Sequence, residues 1–339
     1  MSNFIQSPAD YAFKGIHNMT VLVTGAAGFI GSKVCELLAK AGKNVVGIDN
    51  LNDYYDARVK KYRLDNLKKI KNIKFYKADI EIKEDIEKIT KKYKFESVIN
   101  LAARAGVRYS IENPFIYVFA NTLGTLNLLD IAKEKKIKKF VLASTSSLYA
   151  GQKIPFVETL AVNTPISPYA ASKKGAEAMC YSYHYLYGLD VSILRYFTVY
   201  GPAGRPDMSV IRFIKWIDEG NPIELFGDGS QSRDFTYIED IARGTIKSLK
   251  KTGFEVINLG GNKPYKLSYM INLIEKNLNK TAKYNYRPFH KADIVATWAN
   301  IDKANKLLKW SPKVSLDQGI KKTVDWYLEN KYWFKNVKL

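Results

Sequence analysis

Cysteine is nearly absent from this chain. Its 339 residues contain two, Cys35 and Cys180, far apart, with neither metal-ligand spacing nor a disulfide framework. Histidine is almost as scarce, and His17, His184 and His290 form no group that would hold a metal. Acidic residues are outnumbered, 33 Asp and Glu against 53 Lys and Arg, for a formal net charge of +20. No apolar run approaches the roughly 20 residues that cross a bilayer. The opening residues lack the basic start, apolar stretch and small-residue cleavage site of a secretory signal. These absences predict a reduced, cytoplasmic protein with no metal and no membrane partner. The charge invites nucleic acid, yet no helix-turn-helix, finger or RNA-binding pattern accompanies it. Pairs such as Lys68-Lys69, Lys135-Lys136 and Lys321-Lys322 fall instead on polar helix positions. Nucleic acid is therefore not expected as the primary partner, whereas attraction for an anionic substrate is.

What is present is a rhythm. Val21, Leu22 and Val23 read as a buried strand, followed by a Gly-rich turn, a helix over 32–41 and a strand over 44–48 that ends at Asp49. Strands follow at 73–76, 97–101, 140–143 and 191–194, with helices at 83–92, 122–134 and after Ser172. Apolar strands alternating with helices predict an α/β fold, a Rossmann-type doubly wound parallel sheet covered on both faces. After Tyr196 the alternation breaks, and Gly and Pro cluster at 201–206 and 227–229. A strand at 255–259 returns to the first sheet, while helices at 267–278, 301–308 and 316–330 indicate a smaller mixed α/β domain. The expected division is a cofactor domain over 19–197, rejoined by 235–262, a substrate domain over 198–234 and 263–335, and an extension over 1–18.

Three glycines, Gly25, Gly28 and Gly31, lie three apart between the first strand and its helix, with Phe29 and Ile30 inside the turn. Glycine there permits a tight turn and close backbone approach to a pyrophosphate, which the helix N-terminus then receives. Asp49 ends the second strand eighteen residues after Gly31, where a carboxylate bonds the ribose 2′-hydroxyl of NAD and repels the 2′-phosphate of NADP. NAD is the expected cofactor. Tyr169 and Lys173 stand four apart on a helix, so a phenol and an ammonium share one face. A nearby lysine charge would favour the phenolate and bring the tyrosine into working range as a general base.

The glycine spacing, with Tyr169 and Lys173 far downstream of it, resembles the extended short-chain dehydrogenase/reductase family. That resemblance implies that Asn50, Asp79 and Ile80 contact the cofactor with Asp49, that Leu101, Ala102, Ala103 and Tyr196 flank it, and that Asn121 supports the site. It also makes Thr145 the hydroxyl that steadies the reacting oxygen, with Ser146 and Ser147 beside the substrate. Family dehydratases carry Asp-Glu, and decarboxylases a Glu, where this chain has Ser146-Ser147, so epimerisation remains.

Within the family the chain is similar to nucleotide-sugar 4-epimerases, and most to the branch acting on UDP-glucuronate. The segment from Phe197 to Met208 carries that likeness, with Thr198 and the run Gly204-Arg205-Pro206-Asp207-Met208. Asp49-Asn50-Leu51-Asn52-Asp53-Tyr54-Tyr55-Asp56 and Gly106-Val107-Arg108 add to it. Arg205 offers a planar cationic fork suited to a carboxylate. The resemblance implies a UDP-uronic acid substrate met by Arg108, Thr198 and Arg205, with Arg233 and Arg287 on the phosphates and Asp293 on the uridine ribose. It also implies a homodimer built on helices over 122–134 and 172–187. The competing readings are a UDP-glucose or UDP-N-acetylhexosamine 4-epimerase and a non-catalytic NAD-binding regulator.

Overall fold

A computed structural model of the chain describes residues 20–289 and 294–339. Its first half alternates strands and helices: β1 (Thr20–Thr24), α1 (Phe29–Lys40), β2 (Asn44–Asp49), α2 (Ala57–Lys68), β3 (Ile73–Lys77), α3 (Lys83–Thr90) and β4 (Ser97–Asn100). Next come α4 (Val107–Glu112), α5 (Pro114–Tyr117), a π-helical turn (Val118–Leu123), α6 (Gly124–Glu134), β5 (Lys139–Thr145), a 3-10 turn (Ser146–Tyr149), α7 (Pro168–Tyr187) and β6 (Asp190–Tyr196). The second half adds β7 (Thr198–Tyr200), α8 (Ser209–Glu219), β8 (Ile223–Phe226), β9 (Ser232–Tyr237), α9 (Ile238–Lys247) and β10 (Phe254–Leu259). It closes with β11 (Pro264–Lys266), α10 (Leu267–Leu278), β12 (Tyr284–Arg287), α11 (Asp302–Leu308) and α12 (Leu316–Phe334).

Seven strands form one sheet in the order β10-β6-β5-β4-β1-β2-β3, every neighbouring pair parallel. Parallel strands need helical crossovers, which cover both faces, so β5 and β6 are buried along their whole length. One face packs Val34, Leu38, Ile241 and Ile246 of α1 and α9 against the sheet; the other packs Ile86, Leu128, Leu129 and Ala176 of α3, α6 and α7. A separate core joins α8, α10 and α12 through Ile214, Ile271, Ile274 and Val324, beside the small sheets β11-β9-β7 and β12-β8.

The helix that carries Tyr169 and Lys173 is firmly delimited. The Ser167 side chain accepts from Ala170 N, Pro168 occupies the first turn, and Gly188 ends α7 in the left-handed region at φ 67°. Two features depart from the sequence reading. Helices α2, α8 and α9 were not anticipated, and the helix expected at 122–134 begins eight residues earlier, with a π-helical turn in its middle. By length and composition alone the full stretch Pro114–Glu134 could cross a membrane, but half of it is buried in the protein, as in a core helix.

Candidate active site

The connections that leave the C-terminal ends of β1 to β5 open onto one cavity of about 460 Å³, within the usual range for a ligand site. On one side it is built from backbone. Thr24 Oγ1 accepts from Leu101 N (3.1 Å) and Ala102 N (3.0 Å), which draws the strand-end segment after β4 over Gly25. A Cβ on Gly25 would stand 2.8 Å from Ala102 N, and one on Gly31 would stand 2.0 Å from the Gly25 carbonyl. Gly28 caps α1 with no side-chain hydrogen bond, so the helix N-terminus is left to a ligand. Asp49 ends β2 beside this turn, accepting from Leu51 N (2.8 Å) and Ala27 N (3.2 Å). Asn50 Nδ2 donates to Asp79 Oδ2 at 2.8 Å, tying two of the expected cofactor residues together. The glycine cradle and the acid at its end fit a dinucleotide, and the residues that would hold NAD are those just described with Phe29, Ile30, Ile80 and Ala103, which also line the cavity.

Thr145, Ser146, Ser147, Tyr169 and Lys173 line the same cavity. Thr145 Oγ1 donates to Ser147 Oγ and accepts from Ser147 N, both at 3.1 Å. Lys173 Nζ donates to the Ala143 carbonyl of β5 at 2.8 Å, which fixes the ammonium beside the strand end. Behind it Ser144 donates to Glu177 (2.6 Å), and Arg195 pairs with the same carboxylate at 2.8 Å, a buried network that braces α7 on β5 and β6. Burial holds the Tyr169 phenol above its ordinary pKa, with the Thr145 hydroxyl and the Arg205 charge pulling the other way. This corrects the sequence reading: without a bound cation the phenol is not tuned downward, and the groups that oppose burial are Thr145 and Arg205, not Lys173. Burial pushes Lys173 down to about 8, partly countered by Glu177.

Asn121 does not reach the cavity. From the π-helical turn its Oδ1 accepts from Arg104 N (2.8 Å), and its Nδ2 donates to Arg104 O (3.0 Å) and Ser172 Oγ (2.9 Å), clamping the segment after β4 to the helix of Tyr169. Tyr196 lines the cavity while its hydroxyl bonds Thr245 in the core at 2.7 Å.

The far side of the cavity is reached by Thr198, Arg205 and Arg233. Arg205 is engaged: Nε and Nη2 meet the two oxygens of Asp207 at 3.0 and 2.5 Å, and Nη2 also donates to the Ala105 carbonyl at 3.1 Å. Burial works against its charge, but Asp207 outweighs it and holds the guanidinium protonated. Arg233 donates to the Ser232 carbonyl at 2.9 Å. Two expected substrate residues stand off the cavity wall. Arg287 is exposed on β12 and forks onto Glu224 at 2.8 and 3.1 Å, and the Arg108 guanidinium lies 3.7 Å over the Phe226 ring. Asp293 lies outside the described residues.

Several cavity residues had no role in the sequence reading. Tyr54 donates to the Ala105 carbonyl at 2.7 Å and meets Tyr117 at 3.1 Å, while the Tyr117 ring stands edge-on to Tyr169 at 6.0 Å. Lys60 is buried with its Nζ 3.4 Å from Asp49 and 3.2 Å from Asn52 Oδ1. The Asp49-to-Asp56 run had marked Tyr54 and Tyr55 by likeness, but Lys60 sits on a helix that the sequence did not announce.

Comparison with known proteins places these features in context. The GDP-mannose 4,6 dehydratase family matches residues 22–323. A UDP-glucuronate 4-epimerase of Thermodesulfobacterium geofontis (strain OPF15) is 59% identical over 319 residues, covering 94% of this chain and 99% of the relative. The crystal structure of UDP-glucuronic acid 4-epimerase from Bacillus cereus in complex with UDP-glucuronic acid and NAD is 40% identical with a TM-score of 0.87, covering 92% of this chain and all of that one. A UDP-glucose 4-epimerase of Thermotoga maritima, solved with UDP-glucose, is 32% identical with a TM-score of 0.84 over 92% of this chain and 100% of its own.

Proposed function

Because this chain belongs to the GDP-mannose 4,6 dehydratase family, within the extended short-chain dehydrogenases/reductases, we propose that it interconverts UDP-glucuronate and UDP-galacturonate through a 4-keto intermediate. The observation that carries this reading is the grouping of Tyr169, Thr145 and Lys173 around a cavity that Arg205 also reaches, with Ser146 and Ser147 where elimination or decarboxylation would need an acid. Tyr169, aligned by Thr145, takes the proton of the 4-hydroxyl and later returns it. NAD held in the glycine cradle would supply the hydride acceptor and regenerate within each cycle. Lys173 would anchor the nicotinamide ribose, and the positive ring of NAD would favour the phenolate together with Arg205.

A 4-keto uronate is a β-keto acid, prone to lose carbon dioxide. Arg205 gripping the carboxylate while the ring turns over would restrain that loss, with Thr198 beside it and Arg233 on the diphosphate. The roles given to Arg108 on the substrate, Arg287 on the phosphates and Asp293 on the uridine ribose remain part of this proposal. The neutral-sugar reading, a UDP-glucose or UDP-N-acetylhexosamine 4-epimerase, has one observation in its favour: Asp207 already occupies the fork of Arg205. Incubating the pure enzyme with UDP-glucuronate and with UDP-glucose separates the two, since UDP-galacturonate should be the faster product. Preference for the neutral sugar would remove the role of Arg205. Tyr169→Phe should lower turnover at least about a thousandfold while bound NAD is retained.

The chain divides functionally into a cofactor domain over 19–197 with 235–262, and a substrate domain over 198–234 and 263–335. It acts as a homodimer in a reducing cytoplasm. Support for the dimer comes from Phe115, Val118, Phe119, Tyr185 and Leu186, large apolar side chains exposed on α5, the π-helical turn and α7. Support for the compartment comes from two buried cysteines that are both free. Light scattering at micromolar concentration tests the dimer.

A further inference from the structure

The two edges of the seven-stranded sheet carry opposite charge. Six connections run from a helix C-terminus to the start of a strand: residues 41–43, 69–72, 91–96, 135–138, 188–189 and 248–253. Together they hold eleven lysines, no arginine and one carboxylate, Glu96, and ten of the lysines are exposed. The connections that leave β1 to β5 at the other edge, residues 25–28, 50–56, 78–82, 101–106 and 146–167, hold five carboxylates against Arg104 and Lys153, and those after β6 and β10, residue 197 and residues 260–263, add only Lys263. A lysine-rich composition alone would have spread lysines over both edges. Compensation of helix dipoles does not account for the excess either. Each helix C-terminus presents roughly half a negative charge, so six of them call for about three cations.

The exposed lysines of this edge also lack carboxylate partners. Among the described residues none of the ten makes an ion pair, whereas Lys61, Lys88 and Lys133, one or two turns back on the same helices, bond Asp65, Asp85 and Asp130. The sheet order spreads Lys250, Lys135, Lys91 and Lys69 across its whole width, roughly 30 Å at about 4.8 Å per strand pair. Within the connections themselves the aromatic side chains are Tyr93, half-buried, and Phe95, buried; the exposed Tyr185 and Tyr187 stand together at the end of α7, beside one connection, and form no row along the lysines on which successive bases would stack. No arginine fork is present for pointed phosphate recognition.

We propose that this edge is a docking face for an anionic bilayer surface, which holds the enzyme peripherally with its catalytic cavity turned toward solution. The occupant follows from charge complementarity: a broad row of flexible point charges matches a broad, laterally mobile layer of acidic headgroups. The carboxylate-rich opposite edge is repelled by the same layer, which fixes the orientation. The proposal does not depend on the sugar substrate.

Flotation of the full chain with phosphatidylcholine vesicles containing about one-third phosphatidylglycerol tests it. Binding is expected to those vesicles and not to pure phosphatidylcholine, and to fall steeply as salt shortens the screening length below about 10 Å. The triple variant K135Q/K136Q/K138Q should partition about a hundredfold less, at roughly fivefold per lysine. Neutralising Lys276, Lys321 and Lys322 on α10 and α12 should cost little, and epimerase turnover should be unchanged in both variants. Equal binding to neutral vesicles, or an unaffected triple variant, overturns the proposal. So does displacement from acidic vesicles by an equal charge of duplex DNA, which would identify the face as a nucleic-acid site.

Discussion

Along the side of the cavity floored by residues 25–31, recognition is assembled from main-chain amides, a helix end and a carboxylate held by its own backbone. On the side reached by Arg205, the proposed recognition would fall to long cationic side chains that are already engaged: Arg205 with Asp207 and, off the cavity wall, Arg287 with Glu224 and Arg108 over Phe226. The first half is preorganised and tolerates no added atom. The second is self-satisfied, so a substrate enters it by exchanging partners, at the cost of contacts that the protein makes with itself.

The largest blow to this contrast would come from Gly31→Ala. With the new Cβ 2.0 Å from the Gly25 carbonyl, the turn must open. A stability loss of at least about 3 kcal/mol is expected, with protein that purifies free of NAD. Thermal melting and the nucleotide released on acid denaturation measure both, and normal values would end the idea of a rigid cradle. Next in size is Lys173, whose charge is held down to about 8 against 10.5 by burial. Below pH 8 the folded protein bears a buried cation; between pH 8 and 10.5 the folded form sheds a proton that the unfolded chain keeps, so stability rises with pH through that window. In cofactor-free protein, Lys173→Met should therefore be more stable than the parent by on the order of 2 kcal/mol at pH 7, with the gap closing toward pH 10.

For the self-satisfied half, Asp207→Asn should free Arg205 and lower KM for UDP-glucuronate a few-fold, about 1 kcal/mol, with UDP-glucose unaffected. A rise confined to the acidic sugar would show that Asp207 aims the guanidinium instead of competing for it. The smallest effect is expected at Asp56, the N-cap of α2, which accepts from Arg58 N at 3.0 Å. Replacing it by Ala should cost about 1 kcal/mol. The Arg58 hydrogen bonds hold its carboxyl down to about 2 from 3.8, so this contribution is present above pH 3.8 and fades as pH falls toward 2.

The same contrast decides what could be read in the sequence. Gly25, Gly28 and Gly31, and likewise Tyr169 and Lys173, are neighbours along the chain and act through their spacing, so their pattern survives in one dimension. Helix α2 escaped because two residues of its buried face, Lys60 and Arg63, point at the cofactor end and at the Ala203 carbonyl, which interrupts the apolar stripe of Val59, Leu64 and Leu67. Tyr54 and Tyr117 meet although they lie 63 residues apart, a contact that no local spacing encodes. The apolar surface of α8 is amphipathic in the ordinary way, but short strands on either side of it obscured the period.

Residues 336–338 bear on when this site can exist during synthesis. Asn336 accepts from Arg58, and Lys338 N donates to Asp56 at 2.8 Å, across separations of 278 and 282 residues. The helix that carries Lys60 toward Asp49 is thus made early and fastened late. A ribosome adding about 5–20 residues each second leaves it unclamped for some tens of seconds. Over that interval the nascent chain can complete its glycine turn but not the wall beside it, so cofactor retention should appear late in the life of each molecule.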